Sequence, residues 1–181
     1  MEAHGTVSQP GSQSAANPEA VIPAVRGEFY SYRAVFTADR PLGYLMKCRA
    51  NKDRALTFAE DNPDGLDLVF VFGSHVAVCS PDSERAISLL AEIVDRRNLD
   101  HTAIAVAGIT ADEFQQLRER KNGDELAEAC RAAITVESSP AEFLQIGMII
   151  AVITESGKYG LLQVTELTSS AVKFDACHIL L

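Results

Sequence analysis

Apolar and polar positions are patterned most legibly between Gln145 and Leu181, where two short polar turns divide three β-type runs. Ile146 to Ile153 is apolar at nearly every position, the mark of a strand covered on both faces. Glu155-Ser156-Gly157-Lys158 supplies a hairpin loop, with Gly157 free to take the positive φ such loops require. Tyr159 to Leu167 returns, Thr168-Ser169-Ser170 turns again, and Ala171 to Leu181 closes a three-stranded meander. In the last run Val172, Phe174 and Ala176 alternate with Lys173 and Asp175, so one face is wet.

The earlier chain mixes both periods. Phe29 to Thr37 alternates, with Tyr30, Tyr32, Ala34 and Phe36 on an inner face. Asp39-Arg40-Pro41-Leu42-Gly43 is turn chemistry, after which Tyr44 to Arg49 is expected to pair back as a hairpin. Ala55 to Ala59 suits a third strand or a short helix. Beyond the turn Glu60 to Gly65, the run Leu66 to Val78 suits a central strand. There Gly73-Ser74 either reverses the chain as a two-residue turn, the preferred reading, or bulges a single long strand. Ser80 is a candidate cap and Pro81 a first helical residue for a helix to about Arg97, with Ala86, Ile87, Leu89, Leu90, Ile93 and Val94 as its stripe.

His101 to Ile109 predicts another strand, and Thr110 with Glu113 a capping box opening a helix that Asn122-Gly123 ends. The next helix, from Asp124, buries Leu126, Cys130, Ala133 and Ile134, and Ile134 to Val136 suits a brief strand. Ser139-Pro140-Ala141-Glu142 repeats the capping-box spacing and predicts a single helical turn. Strands and helices are largely segregated, which favours an α+β fold over a doubly wound sheet. The expectation is a mixed, mainly antiparallel sheet with two to three helices packed on it and a C-terminal three-stranded β-meander. Within that sheet Leu66 to Ile109 would form a right-handed βαβ crossover. The divisions are a flexible tail over 1–25, an α+β domain over 26–137, and the meander over 138–181, packed on the same core.

Composition narrows the function classes. With 47% hydrophobic and 23% charged residues the chain is ordinary for a globular protein. No apolar run reaches membrane-spanning length, and residues 1–25 lack a basic start and apolar core, so a cytoplasmic setting is the default. A formal net charge of −9 argues against nucleic acid or anionic membrane as a partner. The charge is uneven. Arg26, Arg33, Arg40, Lys47, Arg49, Lys52 and Arg54 crowd one stretch, whereas acidic residues outnumber basic ones from 55 to 137. Packing of the basic stretch against acidic helix residues such as Glu119, Glu125 and Glu128 would balance the two, within the chain or between copies.

Candidate chemistry is sparse. Cys48, Cys79, Cys130 and Cys177 are far apart and carry no metal-ligand spacing, which suits reduced, buried thiols. No metal and no cofactor is expected. Ser74-His75, with Cys79 and Ser80 close behind, is where a nucleophile would be sought, yet strand neighbours point to opposite faces. Helix starts at Cys79-Ser80-Pro81 and Ala107 to Thr110 have amides to offer an anion, but capping accounts for both. Glu60, Asp61, Asp64 and Asp67 flank a turn and are expected to solvate it. His178 follows the inner face of its strand and is expected to be a hydrogen-bonded interior histidine.

These features favour a non-catalytic binding or assembly module, with a protein partner or a second copy as its target. One alternative is a small hydrolase or transferase built around Gly73 to Ser80; another is a regulatory domain for a small anion. The candidate ligand-binding residues are Arg33, Arg40, Lys47, Arg49, Ser74 and His75.

Overall fold

The computed structural model describes residues 27–43, 66–90 and 99–180. In chain order the strands are β1 (Glu28–Thr37), β2 (Leu42–Gly43), β3 (Leu68–Val71), β4 (Ala77–Cys79), β5 (Thr102–Val106), β6 (Ala141–Phe143), β7 (Ile149–Thr154), β8 (Tyr159–Leu167) and β9 (Ala171–Leu180). The helices are α1 (Glu84–Leu90), α2 (Ala111–Arg120) and α3 (Gly123–Val136). The fold is α+β and closes in the expected meander β7–β8–β9; β8 and β9 keep the expected bounds, whereas β7 starts only at Ile149, three residues late, and leaves Ile146 exposed. Gly157 turns the first hairpin at φ +80°.

The expected single sheet is two. One runs β1-β9-β8-β7-β5, the other β2-β3-β4-β6, and every described pairing is antiparallel. Because β4 and β5 belong to different sheets, α1 is no βαβ crossover. β1 pairs along its whole length with β9, Glu28 opposite Leu180 and Thr37 opposite Ala171, so its partner is the far end of the chain rather than the next segment. Gly27 must be glycine there, since a Cβ would fall 2.2 Å from the Leu180 carbonyl oxygen. The runs 44–49 and 55–59 lie outside the described residues.

Alternation explains the layering. Ala34 and Phe36 of β1, Phe70 of β3, Val78 of β4, Val152 of β7 and Phe174 of β9 fill the space between the sheets. Phe36 stacks on Phe70 at 4.1 Å between centroids and Phe174 lies 5.5 Å from Phe70, so three rings bind three strands. The opposite faces of β7, β8 and β9, through Ile149, Ala151, Leu161, Cys177 and Ile179, receive Phe114 and Leu117 of α2 and Leu126 and Cys130 of α3. A third cluster, Val69, Ala77, Cys79, Ala86 and Leu90, seats α1 on the smaller sheet. The order is helices, sheet, sheet, helix, so only one face of the meander shelters under α2 and α3.

Local signals decide most ends, and tertiary pairing overrides a few. Thr110 and Glu113 form the expected capping box, and Asn122 caps α3 through the Asp124 and Glu125 amides. β3 and β4 do reverse on each other, but through the longer loop Phe72–Val76, and Gly73 keeps a negative φ. The cap of α1 is Ser83, whose hydroxyl accepts from Ala86 N, rather than Ser80. Residues 134–136 stay helical. The capping-box spacing at Ser139 makes no helix: Ser80 N donates to the Pro140 carbonyl and Ser139 N to that of Ile104, which draws 141–143 into strand β6 beside β4. The last described residues pack inward, Ile179 buried and Leu180 half-buried against β1.

Candidate functional site

Strand β5 has β7 on one side and an outer edge on the other, and its two ends meet different surroundings. At the first end the chain assembles a closed polar seam. Asp67, 1% exposed, receives the Lys158 ammonium on both carboxylate oxygens at 2.9 and 2.8 Å, joining the smaller sheet to the β7–β8 hairpin. The Thr102 hydroxyl donates to the Asp67 carbonyl at 2.7 Å, and Thr102 N donates to the Ser80 Oγ at 2.9 Å. Ser80 in turn donates to Asp82, whose second oxygen lies 2.8 Å from His101 Nδ1. His101 N donates to Glu155 Oε2 at 3.1 Å. Asp67 is therefore a buried ion-pair member and no solvator of the preceding turn; Glu60, Asp61 and Asp64 lie outside the described residues.

This seam contains a serine, an aspartate and a histidine, but in an order that prevents nucleophilic catalysis. A triad needs the imidazole between carboxylate and hydroxyl, so that it can take the serine proton. Here Asp82 sits between Ser80 and His101, and Ser80 is fully buried with its hydroxyl committed at both ends. Cys79 offers no replacement, since burial pushes its thiol up to about 11. Burial also pushes the Cys177 thiol up to about 12 and raises that of Cys130, whose Sγ lies 3.3 Å from the Gly160 carbonyl. These three thiols are free and buried; Cys48 lies outside the described residues.

The residues singled out for ligand binding are dispersed. Ser74 and His75 are exposed on the β3–β4 loop, with the His75 ring edge-on to Phe143 at 5.8 Å and the Arg85 guanidinium 4.7 Å from the same ring. The Arg33 side chain is 87% exposed and contacts Asp175 of β9 at 3.3 Å, a carboxylate it shares with Arg118 of α2 at 3.0 Å. Arg40 forms a β-bridge with Thr37 at the turn after β1. Lys47 and Arg49 lie outside the described residues. Arg33 thus answers a strand carboxylate rather than the acidic helix surface, where Glu125 is served by Arg120 at 3.4 Å. His178 is fully buried, stacked on Tyr30 at 5.0 Å between centroids, with Nδ1 2.9 Å from the Tyr32 hydroxyl. Among the described residues no group of three His, Cys, Asp or Glu side chains is placed to hold a metal ion.

At the second end of β5 a cleft of about 350 Å³ opens, and none of those candidates lines it. Ala129, Ala132, Ala133 and Val136 form one wall, positions i, i+3, i+4 and i+7 of a single face of α3. Val106, Gly108 and Ile109 form the other wall where β5 runs out toward α2. Glu137 and Glu142 contribute the only charges of the lining. Apolar surface here faces water: Val106 is 47% and Val136 87% exposed. Partial burial, and then the charge of Glu137, hold the Glu142 carboxyl above its ordinary range. Phe143 and Glu142 are strand neighbours on opposite faces, so the His75–Phe143–Arg85 patch and the cleft are separate surfaces. The helix start beside the cleft is no anion site, because the Glu113 carboxylate already takes Thr110 N at 2.7 Å.

No family model matches the chain, and no curated protein matches it. A solved structure does. The chain is similar to a DUF4466 family protein from Parabacteroides merdae ATCC 43184, whose crystal structure was determined at 2.00 Å resolution. The TM-score is 0.60 at 14% sequence identity, over 86% of this chain and 54% of that one. The likeness supports the α+β architecture, and the chain spans about half the length of that protein (54%). Among the described residues no helix is long and apolar enough to cross a membrane.

Proposed function

We propose that the protein is a non-catalytic recognition module whose cleft between α3, the end of β5 and β6 receives an apolar group of its partner. The reading rests chiefly on Val106 and Val136, aliphatic side chains held in water on facing walls of a shaped concavity. It is supported by the state of the reactive groups, since the hydroxyl and thiols described above are buried and the Ser80 hydroxyl is committed to other polar groups. Fragment mapping tests it. With the ¹⁵N-labelled chain titrated with isobutanol, amide shifts should gather at Val106, Gly108, Ile109, Ala132 and Val136. Shifts scattered over the surface, or gathered on the Phe143 face, would count against the cleft as the site. Turnover of an ester or amide substrate, lost in His75→Ala, would replace recognition with catalysis.

A further inference from the structure

We propose that the occupant of the cleft is a short peptide segment of another protein, in which an aliphatic side chain is followed closely by a lysine or arginine. This rests on the cleft being a binding site and adds what it selects. The aliphatic group would lie against Val106, Ile109, Ala132 and Val136, and the cation between Glu137 and Glu142.

Charge complementarity carries the argument. The lining holds two carboxylates and no basic residue, and neither glutamate has an ion-pair partner among the described residues. Two like charges beside an apolar wall repel each other, and a cation placed between them relieves the repulsion while its aliphatic stem covers the wall. The overall charge of −9 draws cationic segments toward the chain in the same sense.

Strand parity argues for a peptide over a small amine. Ala107 N donates to Ile149 O, which turns the odd residues of β5 toward β7. The Ile104 carbonyl faces the other way and accepts Ser139 N, so Val106 turns its own amide and carbonyl to the cleft side. Beside it Gly108 has open space where a side chain would stand, which leaves room for another main chain to approach. Backbone pairing at Val106, an aliphatic pocket and a carboxylate pair together fit an extended basic segment.

Calorimetry on the full chain with three capped heptapeptides tests this. All share a Val-Leu-Val core, flanked by lysine, glutamine or glutamate. The lysine peptide should bind about tenfold tighter than the glutamine one, and the advantage should shrink in high salt. Glu137→Gln with Glu142→Gln should erase that advantage, so that the lysine and glutamine peptides bind alike. Equal affinity for all three peptides would overturn the cationic preference while leaving the cleft as a site. Binding unaffected by Ala132→Trp, in a variant whose circular dichroism matches the parent, would overturn both. Concentration-dependent dimerisation abolished by the two glutamine substitutions would assign the cleft to a second copy and overturn the foreign partner.

Discussion

The two ends of β5 are about 13 Å apart by strand rise, yet they solve opposite problems. At Thr102 every polar group has found another: hydroxyl to carbonyl, amide to serine, carboxylate to ammonium. At Val106 apolar side chains face water and two carboxylates stand together without an ion-pair partner among the described residues. A satisfied polar cluster rigidifies and costs much to disturb. A surface whose groups conflict gains when something covers it. The contrast teaches where to look: the residues with the most catalytic appearance, Ser80, Asp82 and His101, belong to the architecture, and the plain alanines of α3 border the opening.

The comparison breaks hardest at Lys158. Lys158→Met leaves the Asp67 carboxylate buried without its cation, and should cost about 3–5 kcal/mol. Urea unfolding followed by circular dichroism measures it. Adding Asp67→Asn to the same chain should recover a large part of the loss, because the buried charge that Lys158 balanced disappears too. A Lys158→Met variant within ~1 kcal/mol of the parent would mean that the pair is solvated, contrary to what the burial of Asp67 leads one to expect.

Ser80→Ala comes next. It removes the acceptor of Thr102 N and strands a buried amide, a loss of about 1–3 kcal/mol. The sharper readout is hydrogen exchange: protection should fall at Thr102 and its neighbours on β5, and hold at β9. Unchanged exchange at Thr102 would remove Ser80 from the seam.

How much of this was legible in the chain follows from how local each signal is. The meander was readable because its turns need only Gly157 and the serine-rich 168–170 stretch, and its strands only alternation. α2 was readable because Thr110 and Glu113 cap it within one turn. Asp67 reads as a turn residue because its neighbours before the strand are acidic turn residues, and the lysine that holds it lies 91 positions away. A carboxylate framed by Leu66 and Leu68 was nonetheless a signal, since apolar neighbours on both sides foretell burial. Ser139 to Glu142 misled because sheet pairing at Ile104 and Ser80 outweighed a correct local pattern. The division into two sheets, and with it the cleft, had no local trace. Ala129 and Ala132 are ordinary helix formers, and their exposure depends on what fails to pack against them.

The smallest effect sets two carboxyls on the cleft side of β5 apart by sign. Burial, then Glu137, raises the Glu142 carboxyl above its ordinary 4.5, so the folded chain holds that proton to higher pH than the unfolded one. The resulting penalty is absent below the ordinary value, grows as pH rises, and is complete above the folded-state value. Glu142→Gln should therefore stabilise at pH 7, by a few tenths of a kcal/mol once solvent screening is allowed for, and lose the gain near pH 4. Glu113 runs the other way. The Thr110 amide and hydroxyl hold its carboxyl low, so its support is present at neutral pH and fades as pH falls through the folded-state value. Thermal melts of Glu142→Gln and Glu113→Gln should move in opposite directions from the parent at pH 7; Glu142→Gln should converge on it near pH 4, and Glu113→Gln only below the folded-state value of that carboxyl. A Glu142→Gln chain that is less stable at pH 7 would mean that the carboxylate is held by a partner of its own, and the cleft would then have no unmet charge to offer.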